Sequence, residues 1–178
     1  CSNSPKYCIS CCNGYFLNSE NICIKCTSPC TTCLSQNECT SCISNYFLSS
    51  DNSTKIHAIE CYNKMSKITR ILQIIHGMTE YIDKYIPFIE YLTSFGFIVV
   101  GHDQLGHGSS FTSSENQGYF GEPDPNMNLI EDIHKLRTIT QEKYKDLPYF
   151  ILGHSMGSYL LRQYITIYND NNIAGVLL

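Results

Sequence analysis

The sequence has no apolar run approaching the ~20 residues that a membrane-spanning helix needs, and it has no block of Lys or Arg. Its net charge is −4, which does not favour nucleic acid as a partner. Its 178 residues suffice for one medium domain, or for a domain plus a small module. We therefore expect no transmembrane segment in this chain and no nucleic-acid partner.

The cysteines are confined to the N-terminal part of the chain. Ten of the eleven cysteines lie between Cys1 and Cys42, and the last is Cys61. This change of composition predicts a domain boundary, with a cysteine-rich repeat module over residues 1–44 and a second domain over residues 45–178.

The N-terminal module has too few large apolar side chains for a hydrophobic core, so cross-links must hold it together. It contains no histidine, and "NGYFLNSEN" at residues 13–21 returns as "SNYFLSSDN" at residues 44–52. Zinc bound by thiolates is one way to hold the module, and disulfides are the other, which we favour. The pattern resembles furin-like, growth-factor-receptor-type cysteine-rich repeats, which implies an extracellular binding or spacer module. The Cys-x-x-Cys pairs are Cys8/Cys11, Cys23/Cys26, Cys30/Cys33 and Cys39/Cys42.

The second domain alternates strand patterns with helical patterns. Short apolar runs predict strands at residues 54–62, 70–75, 97–101, 149–153 and 173–178. Between them, apolar residues recur at helical spacing in three segments. This order predicts an α/β fold with a mostly parallel sheet and helices on both faces. The helical positions are Ile82, Tyr85, Ile86, Ile89 and Leu92; Leu129, Ile133, Leu136 and Thr140; and Leu160, Leu161, Tyr164, Ile165 and Tyr168.

The stretch "FILGHSMGS" places Ser155 between Gly153 and Gly157, where a predicted strand passes into a predicted helix. A serine in such a sharp turn presents its hydroxyl above the carboxyl end of the sheet, and the flanking glycines allow close backbone approach. The N–H of Met156 at the start of the helix would stabilise an oxyanion. We assign the N–H of Met78, in the turn after the 70–75 strand, as the second donor.

Three motifs in sequence carry a resemblance to a known family. The stretch from about Phe47 to Leu178 resembles the N-terminal half of an α/β-hydrolase of the monoacylglycerol lipase / lysophospholipase group. The matching pieces are "IIHGMTEYIDKYIPFIEYLTSFGFIVVGHDQLGHGSS", "DLPYFILGHSMGS" and "IAGVLL". The resemblance implies Ser155 as nucleophile, an oxyanion hole from the Met78 and Met156 amides, and no metal or organic cofactor.

Several other residues are expected to shape the site. His76 and Gly77 form the turn after the 70–75 strand, where His76 stabilises the turn and Glu80 either supports it or is solvated. His154 is expected to pack inside the serine turn, because its side chain points away from that of Ser155. "GHDQLGHGSS" brings His102, Asp103 and His107 within six residues. We favour a tight turn formed by Asp103 over a metal cluster there.

In this fold the catalytic serine is followed along the chain by an acid and then by a histidine. No such pair follows Ser155. No histidine follows it, and Asp170 comes too early to orient a base. The chain starts at Cys1 and ends inside an apolar run at Leu178, so we expect an inactive fragment of a longer enzyme.

Our leading hypothesis is a serine hydrolase of fatty-acyl esters, with an acyl-ester lipid as substrate and contact with a membrane surface left open. The alternative is a cell-surface cysteine-rich binding protein with an inert hydrolase half. A join between two unrelated genes is a third option. A disulfide-rich module argues for a secreted or cell-surface protein, whereas zinc binding or an unrelated fusion would suit the cytoplasm.

Overall fold

The computed structural model describes residues 15–25, 33–35, 38–39, 42–111, 113–169 and 172–178. Its strands are β1 (Tyr15–Leu17), β2 (Cys23–Lys25), β3 (Cys33–Ser35), β4 (Glu38–Cys39), β5 (Cys42–Leu48), β6 (Lys55–Cys61), β7 (Arg70–Ile75), β8 (Phe97–His102), β9 (Tyr149–Gly153) and β10 (Ile173–Leu177). Its α-helices are α1 (Ile86–Ser94), α2 (Pro125–Lys143) and α3 (Met156–Tyr168), and two short 3-10 turns cover Ile82–Tyr85 and Ser114–Asn116.

Six strands form the central sheet in the order β10-β9-β7-β8-β6-β5. The strands β10, β9, β7 and β8 are mutually parallel, whereas β6 runs antiparallel to β8, and β5 antiparallel to β6. The predicted α/β fold with a mostly parallel sheet is therefore confirmed for this part of the chain. Because the carboxyl ends of β7, β8 and β9 meet at one edge, the loops that follow them converge there.

Helices cover both faces of the sheet, because successive side chains of a strand point to opposite faces and nearly all residues of β6, β7 and β8 are buried. On one face, α2 and α3 pack against residues such as Ile71, Ile98 and Ile151. On the other face, Ile89 of α1 packs against residues that include Leu72. The strands β6, β7 and β8 are thus buried on both sides, as their apolar sequences predicted, whereas the edge strand β10 is largely exposed.

The first predicted helix is divided in two. A 3-10 turn covers Ile82–Tyr85, and α1 begins at Ile86 with Pro87 in its first turn. Proline lacks an N–H and clashes with the carbonyl four residues earlier, so it fits a first turn and would interrupt a continuous helix. The helical periodicity correctly predicted the apolar side of this segment. Pro87 explains why the α-helix begins only at Ile86.

The internal repeat corresponds to a repeated hairpin. In the first copy, β1 leads through Asn21 (φ 59°) into antiparallel β2; in the second, β5 leads through Asn52 (φ 59°) into β6. Asparagine is among the few residues that adopt this left-handed conformation readily. Since β5 spans residues 42–48 within the six-stranded sheet, the proposed boundary at 44/45 falls inside a strand, and it stays a prediction.

Parts of the cysteine-rich module can be described. Cys23 and Cys61 are both disulfide-bonded. The other cysteines with described backbone positions lie in β3, β4 and β5, and the remaining Cys-x-x-Cys partners fall outside the described residues. The module as a disulfide-rich unit therefore stays a prediction. In the described ranges, no helix has the length and apolar character to cross a bilayer.

Candidate active site

Ser155 occupies a strained turn between β9 and α3. Its backbone has φ 53° and ψ −117°, and its side chain is exposed. A non-glycine residue in such a conformation costs of the order of 1–3 kcal/mol, and such strain concentrates at functional sites. The turn places a serine hydroxyl at the carboxyl edge of the sheet, where the loops after β7 and β8 also lie.

Two glycines allow this turn to form. A Cβ on Gly153 would lie 2.5 Å from the carbonyl oxygen of Gly157, and a Cβ on Gly157 would overlap the carbonyl oxygen of Ile75. The first turn of α3 therefore packs directly against the end of β7, with backbone against backbone. Gly77 is similarly close, since its Cβ would lie 3.2 Å from the Cβ of Ser155.

Two backbone N–H groups beside Ser155 are available to a ligand. Met156 is the first residue of α3, and Met78 follows Gly77 in the turn after β7. Among the described residues, neither amide donates a hydrogen bond. The positive end of the α3 dipole adds to the Met156 N–H, so this edge of the sheet suits a developing negative charge.

His76 is buried at the end of β7 and holds the turn. Its Nε2 accepts a hydrogen bond from the N–H of Gln104 (2.9 Å), and its Nδ1 lies 2.8 Å from the carbonyl oxygen of Gly77. The Gln104 side chain also donates to the His76 carbonyl at 2.6 Å. Burial lowers the pKa of His76, so the ring is neutral and acts as a structural link.

Glu80 joins the turn after β7 to the serine turn. One of its carboxylate oxygens accepts from the Gly77 N–H (2.7 Å) and the Tyr85 hydroxyl (2.6 Å), and lies 3.0 Å from Nδ1 of His154. Burial alone would raise the pKa of Glu80, but these hydrogen bonds outweigh it and lower the pKa to about 2. Of the two sequence-based readings, the structure therefore places Glu80 in the turn-supporting role.

The expectation that His154 packs inside the serine turn is wrong. Its side chain is 59% exposed and points towards Glu80, and only its backbone takes part in the turn, donating to the carbonyl of Ile75 at 3.0 Å. The physical reason is that the glycines leave no room inside the turn, so a ring at this position must point outwards. Among the described residues, the Ser155 hydroxyl is hydrogen-bonded to no histidine.

Asp103 braces the loops that border the site. It accepts from the backbone N–H of Ile82 (2.7 Å) and of Ser109 (2.8 Å), and it lies 3.0 Å from Nδ1 of His57. The Asp103 hydrogen bond raises the pKa of His57, against the effect of burial. His57 lies in β6, where nothing in the sequence pattern distinguished it from an ordinary strand residue.

His102, Asp103 and His107 do not converge on a common point. The His102 ring is buried and edge-on to Phe47, whereas the His107 ring stacks on Phe120 with an interplanar angle of 11°. Within the described ranges, no group of three His, Cys, Asp or Glu side chains is arranged to hold a metal ion. His102 instead ends β8 and packs against β5, whereas Asp103 and His107 belong to the loop after β8.

A cavity of about 550 Å³ opens beside the Met78 turn. Its walls combine the apolar side chains of Met78, Tyr81 and Phe120 with the polar side chains of His107 and Gln117. Because Met78 lines it, this cavity offers space for an apolar group beside the turn that carries the Met78 amide.

Part of this chain is similar to known proteins. A family model described as "Serine aminopeptidase, S33" matches residues 66–178. The chain is 31% identical over 116 residues to Phospholipase YtpA of Bacillus subtilis (strain 168), covering 65% of this chain and 41% of that protein. It is 32% identical over 85 residues to a "Monoglyceride lipase homolog" of Monkeypox virus, covering 48% of this chain and 29% of that one. The chain thus spans less than half of either relative.

Solved structures are similar to about three quarters of this chain. A thermostable carboxyl esterase from Bacillus coagulans, solved with glycerol, matches with a TM-score of 0.70 and 34% identity over 77% of this chain and 43% of that chain. A soluble variant of the monoglyceride lipase from Saccharomyces cerevisiae matches with a TM-score of 0.65 at 23% identity, over 77% of this chain and 43% of that one. The latter likeness supports the α/β-hydrolase fold.

Proposed function

The chain belongs to the family described as "Serine aminopeptidase, S33", and we propose that it carries the nucleophile half of a serine hydrolase of fatty-acyl esters. The substrate class is a monoacylglycerol or a lysophospholipid. Relatives named as a phospholipase, as monoglyceride lipases and as a carboxyl esterase support a lipase- or esterase-type hydrolase. The cavity beside Met78, with the apolar side chains of Met78, Tyr81 and Phe120 among its polar ones, supports an acyl-ester substrate.

The observation that carries the proposal is the strained backbone of Ser155 beside two N–H groups that donate to no described residue. The Ser155 hydroxyl attacks the ester carbonyl carbon, and the carbonyl oxygen takes up the negative charge. The amides of Met78 and Met156 donate to this oxyanion, where one donor of this kind is typically worth ~3–4 kcal/mol.

Collapse of the intermediate breaks the bond to the alcohol and leaves an acyl group on Ser155. Water then attacks the acyl-enzyme, and the fatty acid leaves. A base must accept the Ser155 proton and pass it to the departing alcohol, and an acid must orient that base. We assign both to residues outside this chain, because no histidine follows Ser155; the chain by itself is then inactive. The scheme uses no metal or organic cofactor.

An activity probe tests the proposal directly. The full-length protein that contains this chain is treated with a fluorophosphonate, which labels activated serines covalently. We expect labelling that is lost in Ser155→Ala and kept in Ser158→Ala, a matched control three residues further along α3. A correctly folded protein without labelling would contradict the proposal and favour a cysteine-rich binding protein whose hydrolase half is inert.

We also propose that the protein is exported, because disulfide-rich modules persist in oxidising compartments. The disulfide-bonded states of Cys23 and Cys61 support this location. Labelling of intact cells with a membrane-impermeant reagent tests it. Recovery of the protein in the cytoplasm with free thiols at both positions would contradict it.

A further inference from the structure

Two imidazole rings hold consecutive carbonyl groups on either side of Met78. Nδ1 of His76 faces the carbonyl oxygen of Gly77 at 2.8 Å, and Nε2 of His107 is hydrogen-bonded to the carbonyl oxygen of Met78. The Gly77 carbonyl belongs to the same peptide group as the Met78 N–H. The Met78 N–H lies in this peptide plane, which His76 holds, and His107 holds the next peptide, so side chains fix the backbone on both sides of the Met78 Cα.

The hydrogen-bond partners define the protonation of both rings. Nε2 of His76 accepts from the N–H of Gln104, so its single proton lies on Nδ1, and this ring is neutral. Nδ1 of His107 lies 2.9 Å from the carbonyl oxygen of Leu105, while its Nε2 faces that of Met78. A carbonyl oxygen only accepts. Both nitrogens of His107 must therefore carry a proton to satisfy both contacts, as they do in an imidazolium ion.

The surroundings of His107 are compatible with a positive charge. Its ring stacks on Phe120 with centroids 5.8 Å apart, which favours a cation. Glu80 and Tyr81 share its cavity, and the Asp103 carboxylate adjoins the neighbouring Gly108. The His76 ring lies 5.4 Å away, and because it is neutral it does not oppose the charge.

We propose that His107 is a positioning residue of the site, which in its doubly protonated form ties Met78 to the loop after β8 and so aims the Met78 N–H at the substrate oxyanion. This inference rests on the proposed function. When His107 loses its second proton, one of the two links is lost and the turn loosens. The rate of reaction at Ser155 should then decline on the alkaline side of the pH profile.

Two substitutions separate charge from bulk in the full-length protein. In His107→Gln, the side-chain oxygen would face one of the carbonyls, so one link is lost at every pH. We expect fluorophosphonate labelling about tenfold slower, with the alkaline decline absent. His107→Arg supplies two N–H donors at all pH values, so we expect labelling near the wild-type rate and again no alkaline decline. His134→Gln, in the contact between α2 and α3, is the matched control and should keep the wild-type profile. A His107→Gln variant with the rate and profile of the wild type would overturn the proposal.

A measurement on the unsubstituted protein does not depend on activity. Carbonyl ¹³C shifts are recorded across pH together with the ring ¹⁵N shifts of the histidines. We expect the Met78 carbonyl shift to follow the titration of the His107 ring, while the Gly77 carbonyl does not follow it. A Met78 carbonyl that stays constant while His107 titrates would overturn the proposal. If the carbonyl responds but Ser155 is never labelled, the hydrolase function fails and the His107 link stands.

Discussion

Gly157 in the first turn of α3 packs directly against the carbonyl oxygen of Ile75 at the end of β7. A side chain at position 157 would overlap that backbone oxygen, and also the carbonyl of His76 at 2.9 Å. Backbone atoms of a central strand cannot move aside as a flexible side chain does. This contact fixes the start of α3, and with it Ser155, relative to the turn that carries Met78.

The substitution Gly157→Ala should displace α3 from β7. We expect a loss of about 1–3 kcal/mol in the free energy of unfolding, as is typical of overpacking, together with a strong decrease in fluorophosphonate labelling. Urea unfolding and labelling rates measure the two effects. Gly175→Ala in the edge strand β10 is the control, since its nearest neighbour is the Phe150 ring at 3.1 Å, which can shift. Equal behaviour of the two variants would refute the role of the Gly157 contact.

The carboxylate of Glu80 provides a second link between the turns. Glu80→Gln can keep an oxygen in the place of the accepting carboxylate oxygen, but it removes the negative charge and so weakens the contacts with Gly77, Tyr85 and His154. We expect labelling of Ser155 about tenfold slower, because hydrogen bonds to charged groups are the stronger ones. Steady-state kinetics on an activated ester should show the loss in kcat rather than in KM.

A double-mutant comparison tests whether Glu80 acts through Tyr85. The effects of Glu80→Gln and Tyr85→Phe should be less than additive, because Tyr85→Phe removes the same 2.6 Å hydrogen bond that Glu80→Gln weakens. Glu90→Gln, on the exposed side of α1, should leave labelling unchanged. Strictly additive effects at positions 80 and 85 would argue against a shared link.

His102 should make the folded state sensitive to acid. Burial, reinforced by the nearby His76, lowers the pKa of His102 to about 3 from the usual 6.5. Below pH 6.5 the His102 ring therefore binds a proton in the unfolded chain but not in the folded chain. The free energy of unfolding decreases as the pH falls from 6.5 towards 3. In His102→Leu, the stability should depend less steeply on pH by up to about 1.4 kcal/mol per pH unit. Urea unfolding at several pH values between 4 and 7 gives this slope, and an unchanged slope would contradict the assignment.

His57 should have the opposite effect. Its hydrogen bond to Asp103 raises its pKa, so the folded chain holds a proton more tightly than the unfolded chain. The stabilisation is complete below the unfolded pKa of 6.5 and is lost as the pH rises through the folded value. His57→Gln should therefore be more destabilising at pH 6 than at pH 9 in thermal unfolding. A destabilisation that increases with pH would show that the pair is not charged.

Much of the fold could be predicted from local pattern. The strands β6 to β10 and the three helices follow from apolar periodicity, and Ser155 follows from Gly-x-Ser-x-Gly at a strand-to-helix junction. These signals are local, because a buried strand must be apolar and a tight backbone approach requires glycine. The break before α1 could have been predicted as well, since Pro87 was visible in the sequence.

Other features depend on contacts between residues distant in sequence. Glu80 meets His154 across 74 positions, and His57 meets Asp103 across 46. No periodicity marks such partners, so His57, Tyr85 and Gln104 were missed as site-supporting residues, and His154 was placed on the wrong side of its turn. Only Tyr85 gave a signal, and its helical spacing was read as apolar packing.

The sequence by itself determined the layered α/β architecture, the repeated hairpin and the serine turn, because each is encoded by the chemistry of neighbouring residues. The tertiary structure alone decided which polar side chains hold the turn that carries Met78. Those side chains come from the end of β7, from the turn after it and from the loop after β8, and only the folded sheet brings these segments together. A hydrogen bond acts over about 3 Å, so its partner is chosen by the folded geometry and not by separation along the chain.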